Sequence, residues 1–235
     1  MSNCHLPLEL WTEILARVAA NSLADLAAAK VTSKSLLIAG NSNEVYRKAN
    51  ILKLLGPFNV RNANAKIFLA NSVSAGNPLY LIYKGIQNYF VNGDINIGLT
   101  CFKKSSESDC LPSTYIYSIM MICTGQDLPK ESIMKFISAI SKLNVNELEL
   151  CRKTITSLVV HMWRRVSIEK SNLHCTFKDQ CDYFKGMNRW ITEWDHIAEN
   201  DGSVCDMCRT KAEVEWFRNL VHKQPMRPML QFLIP

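Results

Sequence analysis

The sequence predicts an all-α protein. Three observations predict it: apolar residues recur at helical spacing along most of the chain, clusters of Asn, Ser, Gly and Pro interrupt them, and helix-pair units recur at an offset of 34. The 235 residues are 48% apolar and 20% charged, with only 9 Gly and 8 Pro. Such a composition can build a core, and it excludes a collagen-like, low-complexity or disordered chain.

The first fifty residues read as short helices. Leu6-Pro7 leads into Leu10, Trp11, Ile14, Leu15 and Val18, an i, i+4, i+8 stripe with Pro7 tolerated in the first turn. Asn21-Ser22 breaks that helix, and Ser22 with Asp25 starts the next, whose Leu23, Leu26, Ala27 and Val31 share one face. Asn41-Ser42-Asn43 marks a turn. Glu44 to Leu55 then fits a further helix carrying Val45, Tyr46 and Ile51, closed by Gly56-Pro57. Residues 53–77 read as a linker: the Asn-rich runs Asn59–Asn64 and Asn71–Asn77 leave room for a helical turn around Lys66–Ala70.

From Pro78 the helical period returns as a repeat. Leu81, Ile82 and Tyr83 match Tyr115, Ile116 and Tyr117 at an offset of 34, as do Leu99 with Ile133 and Phe102 with Phe136. Each unit reads as helix, loop, helix: Pro78–Asn92 with Ile95–Ser106, then Pro112–Thr124 with Pro129–Leu143. The turns carry Gly93-Asp94 and Gly125 with Asp127. That period has the size of a tetratricopeptide-like or Sel1-like repeat, assigned to residues 78–145, and two such units need flanking helices as caps. Tyr80, Tyr83, Tyr89, Tyr115 and Tyr117 read as packing rather than as a groove. In the remaining region, 146–235, Asn144 to Trp163 suits a helix or a buried strand around Ile155–Met162. Phe184, Met187, Trp190, Ile191 and Trp194 form a core stripe. Lys211–Lys223 is an amphipathic helix with Val214, Phe217, Leu220 and Val221 on one side.

The net charge of +6 is diffuse. Basic minus acidic side chains come to 5 − 4 in residues 1–50, 9 − 7 in 51–150 and 13 − 10 in 151–235, and the tightest basic cluster is Arg164-Arg165. No nucleic-acid partner is expected from so even a spread. No apolar run approaches the 18 residues of a spanning helix, so no membrane partner is expected either. Nine cysteines, unevenly placed and without an export signal, point to a reducing compartment, nucleus and/or cytoplasm.

Chemistry-bearing patterns are few. GxSxG, Walker, GxGxxG and HExxH signatures are absent, and the histidines have no paired nucleophile, so a non-catalytic protein is expected. Cys123 and Cys151 lie in apolar helical contexts where inert thiols are the default. Cys205-x-x-Cys208 has zinc-ligand spacing, with Cys175 and Cys181 upstream and His174 and His196 nearby. Structural zinc on Cys175, Cys181, Cys205 and Cys208 is the single cofactor this pattern supports. Buried or unpaired thiols and redox chemistry stand as alternatives.

The N-terminal run carries a family resemblance. Leu6-Pro7-Leu8-Glu9-Leu10-Trp11, Ile14-Leu15, Val18, Leu23, Asp25-Leu26, Val31 and Lys34 together resemble an F-box, a three-helix unit placed at residues 1–52. Val45-Tyr46-Arg47 resembles the tail of plant F-boxes. Thr32-Ser33-Lys34-Ser35-Leu36 stands where many F-boxes have Val-Cys-Lys-x-Trp. Tyr83-Lys84-Gly85, Tyr115–Tyr117 and the Gly98–Ser105 run, Gly-Leu-x-x-Phe-Lys-Lys-Ser, resemble the Sel1-like segment of a group of plant F-box proteins. The resemblance implies a substrate-recognition subunit of an SCF-type cullin-RING ubiquitin ligase, with a Skp-family adaptor, the cullin-RING core and an unknown protein substrate as partners. It places adaptor contact on Leu6, Pro7, Leu8, Leu10, Ile14, Leu15, Leu26 and Val31. A helical-repeat scaffold without a ligase role is the alternative.

Overall fold

The computed structural model describes residues 6–55, 63–124, 129–160, 162–168 and 205–225. Every regular element among them is helical, and none is a strand. The chain divides into two compact units, Met1–Lys84 and Gly85–Pro235.

In the first unit, serine punctuates the helices. Helix α1 spans Leu8–Asn21, α2 Leu23–Thr32, α3 Lys34–Gly40 and α4 Asn43–Lys48. Ser22, Ser33 and Ser42 accept from the backbone N–H groups of Asp25, Leu36 and Val45, satisfying donors that each new helix would otherwise leave orphaned. Ser33, which replaces the family's thiol, thus starts α3. Leu15, Ala16 and Ala19 of α1, Leu26 of α2, and Val45 and Tyr46 of α4 fill the core. The two alanines let neighbouring helices approach α1, and Asn50 N–H donates to the Ala19 carbonyl at 2.9 Å.

Two expectations are corrected here. The helix expected over Glu44–Leu55 stops at Lys48: Ala49 is extended, and a 3-10 turn follows at Leu52–Leu54. The reason is tertiary, because the buried Asn77 amide donates to the Tyr46 and Ala49 carbonyls, each at 2.9 Å. Likewise, the expected linker 53–77 holds a full helix, α5, at Ala63–Ser74. Phe68 packs edge-on to Tyr46 with ring centroids 5.0 Å apart, and Ser72 is fully buried. Packing has overridden the weak helix propensity of the asparagines. The helix ends at Gly76 (φ 73), where Gly76 N–H reaches Val73 O and Asn77 N–H reaches Ser72 O, the left-handed exit that glycine supplies.

Helix α6, Pro78–Ile86, continues as a π turn over Gln87–Asn92, and α7 spans Ile95–Ser106, α8 Leu111–Thr124, α9 Lys130–Ser141 and α10 Val145–Val159. The expected helix pairs are therefore present, and the Ile155–Met162 segment is helical to Val159 rather than a strand. Ile82 and Ile116 are both fully buried, as the repeat demands. Phe102 and Phe136 diverge for a steric reason. A Cβ at Gly85 would lie 2.6 Å from the Phe102 ring, so glycine there admits the phenyl group. The equivalent position is Ile119, buried in its own right, and Phe136 instead stacks edge-on to Tyr117 at 5.5 Å. Helix α11, Asp206–His222, is longer than expected and packs on α8, α9 and α10. Val214, Phe217 and Val221 are buried, whereas Leu220 is half-exposed. The stripe from Phe184 to Trp194, Gly125 and Asp127 lie outside the described residues.

Candidate functional site

Two surfaces bring together the residues that the sequence singles out. The first is the face of the N-terminal helices. Leu6, Leu8, Leu10 and Ile14 are 43%, 46%, 44% and 42% exposed, Val31 is 85% exposed, and Pro7 is exposed beside them. Large apolar side chains at this density, in a unit whose core is already filled, mark a protein interface. Leu15 and Leu26 differ from expectation. At 2% and 1% exposed they close the core of the unit. Leu37 and Ile38 of α3 are exposed as well and were missed. The signal was available: Leu36-Leu37-Ile38 puts three consecutive apolar residues on a seven-residue helix, and they cannot all face inward.

The second surface holds α11 against the repeats. Its buried side is unusually polar: Arg209, Thr210 and Glu213 are buried together with Ala212, Val214 and Phe217. The Arg209 guanidinium donates to the Leu143 carbonyl, and Glu213 accepts from Tyr115 Oη at 2.9 Å and from Arg152 Nε at 3.1 Å. A second guanidinium N–H of Arg152 donates to the other Glu213 oxygen, making the pair bidentate, and the same group lies 5.4 Å over the Trp216 ring. Burial, and then the Glu213 charge, raise the Tyr115 hydroxyl well above its ordinary pKa, so it remains a donor. Phe90 of the π turn meets Phe217 edge-on at 6.1 Å. Nothing in the pattern of the sequence linked Tyr115 to Glu213 across 98 positions.

The unassigned Trp163-Arg164-Arg165 run also finds a place here. Arg164 donates through Nε to Gln224 O at 3.0 Å and from its backbone N–H to Pro225 O at 3.0 Å, securing the carboxyl end of α11. Arg165 and Val166 N–H both donate to the Phe90 carbonyl. Of the five tyrosines, Tyr89 and Tyr115 are buried and the other three half-buried, so they pack rather than line a groove.

The cysteine cluster is divided. Cys205 precedes the first turn of α11 and Cys208 is buried one turn on, whereas Cys175 and Cys181 lie outside the described residues. Among the described residues no group of three or more His, Cys, Asp or Glu side chains could hold a metal ion. Burial pushes the Cys123 and Cys151 thiols up to about 12, which keeps them protonated and unreactive near neutral pH. Among the described residues no helix is long and apolar enough to cross a membrane.

Comparison with known proteins places this geometry. Residues 51–160 match the family described as plant tetratrico peptide repeats, a span that takes in α5 as well as the helix pairs that follow it. An Arabidopsis thaliana protein provisionally named as an F-box protein is 24% identical over 214 residues, covering 86% of this chain and 72% of the relative. No solved structure matches the chain. With its helical repeats matched and a relative of that name aligned along most of its length, the chain is similar to plant F-box proteins that carry tetratricopeptide-like repeats.

Proposed function

We propose that the chain is the substrate-recognition subunit of an SCF-type cullin-RING ubiquitin ligase. The observation that carries this reading is the exposed apolar set Leu6, Leu8, Leu10 and Ile14 on a unit with a closed core, joined to a relative named for an F-box. Such a set would dock a Skp-family adaptor, with Pro7 and Val31 at its margin. The helical region from Gly85 onward would hold a protein substrate. The chain would act by proximity, raising the effective concentration of substrate near the ubiquitin-carrying enzyme while forming no bonds itself. Nucleus and/or cytoplasm is the compartment this role requires. A structural zinc ion on Cys175, Cys181, Cys205 and Cys208 belongs to the same proposal, and stoichiometric zinc in purified protein is the result expected of it.

Adaptor pull-down tests the reading. A few apolar anchors dominate most interfaces, so Leu6→Ala/Pro7→Ala and Leu10→Asp should each reduce recovered adaptor by about tenfold or more while helical content is kept. Unchanged recovery would leave the scaffold alternative, in which the N-terminal helices serve only to cap the repeats.

A further inference from the structure

The polar underside of α11 is the feature that packing alone does not require. A helix that merely completed a core would bury apolar residues at positions 209, 210 and 213. This one buries Arg, Thr and Glu, and the printed hydrogen bonds of those three side chains run to α8, α9, α10 and the turn after α9 rather than to α11 itself. Buried ion pairs add little net stability over an apolar filling, yet they strongly specify which helix is accepted and in what register. Specific recognition at modest strength is the property of a binding site with a ligand in it. The sequence allows exchange, because residues 169–204 separate the Met162–Ile168 segment from α11.

We infer that the face built by α8, α9 and α10 is a helix-binding site, occupied in the resting chain by its own residues 206–222. Its ligand class follows from the contacts. It takes an amphipathic helix with one carboxylate seated between Tyr115 and Arg152. That helix carries an arginine four residues before the carboxylate to reach the Leu143 carbonyl, and apolar side chains one, four and eight residues after it, as Val214, Phe217 and Val221 provide. A partner helix of this pattern would enter by displacing α11. This deepens the substrate-recruiting role proposed above, and only the partner's identity as a substrate rests on that role.

The test uses the full chain and a fluorescently labelled synthetic peptide of residues 205–225. Wild-type chain should capture the peptide weakly, because the site is filled in cis. Glu213→Ala weakens the resident helix, so that chain should bind the peptide at least about tenfold more tightly, and adding Arg152→Ala should remove the gain. Absence of capture by a Glu213→Ala chain that keeps wild-type helicity overturns the inference. Amide hydrogen exchange on the unaltered chain decides the matter independently, should that variant fail to fold. Residues Ala212–Val221 should exchange by local opening, faster than the cores of α8 and α10. Exchange of all three only in a common global step also overturns the inference. Neither readout involves the adaptor, so this idea and the ligase reading fail separately.

Discussion

At the scale of single residues, close contact decides more than charge. A Cβ at Gly98 would lie 2.7 Å from Tyr89 Cβ and 2.9 Å from its backbone nitrogen, so α7 touches the π turn directly. Gly98→Ala should lower stability by about 1–3 kcal/mol in a denaturant titration, since overpacking outweighs alanine's better helix propensity. The Gly98–Ser105 run that marks the family resemblance is thereby explained as packing: Gly98 meets Tyr89, Phe102 lies under Gly85, and Ser105 donates to Ser113 at 2.6 Å between helices. Buried thiols carry the pH dependence. Cys123 and Cys151 are raised from 9.0 to about 12 in the folded chain, and Tyr115 is raised above 10.0. Their contribution to stability is fully present below about pH 9. Above it the unfolded thiols lose protons that the folded ones keep, so stability falls as pH rises toward 12. The urea midpoint should therefore drop between pH 9 and 11, and less so in Cys151→Ala, relative to its own value at neutral pH.

At the scale of elements, capping residues made the boundaries legible and tertiary bonds moved them. Asn144 and Glu147 form a reciprocal capping box at the start of α10, with Glu147 N–H to Asn144 Oδ1 at 3.0 Å and Asn144 N–H to Glu147 Oε2 at 2.9 Å. Asn144→Ala should cost about 1 kcal/mol, read as a lower unfolding midpoint. Ser22, Gly93 and the helix Ile95–Ser106 were similarly readable from local sequence. The end of α4 was not, because Asn77 lies 31 positions from Tyr46, whose carbonyl it takes. Asn77→Ala should cost about 2–3 kcal/mol, more than a surface cap, because it leaves two carbonyls short of a donor in a buried site. A double variant with Tyr46→Phe separates this from loss of the Tyr46 hydroxyl bond to Asn41.

At the scale of the whole molecule, two compact units divide the work that the sequence suggested. Leu10→Asp in the full chain should abolish adaptor recovery yet leave peptide capture by the α8–α10 face unchanged, which pull-down and fluorescence anisotropy measure in parallel. Its apolar partner Leu15 should behave oppositely. Leu15→Ala should cost about 2–5 kcal/mol of stability, as buried leucines do, because it is core and not surface. The docking set read from the sequence thus splits by burial. Leu6, Pro7, Leu8, Leu10, Ile14 and Val31 remain available to a partner, while Leu15 and Leu26 build the unit that displays them.

Local pattern alone determined the all-α class, the serine-capped starts of α2 and α4, and the helix pairs at an offset of 34. Those features depend on neighbours three or four residues apart, which a single chain displays directly. Only the tertiary structure decided that α5 is a helix, that Leu26 faces inward, and that Glu213 sits between Tyr115 and Arg152. Each of those rests on contacts between residues tens of positions apart, where packing overrides propensity and no spacing rule gives notice.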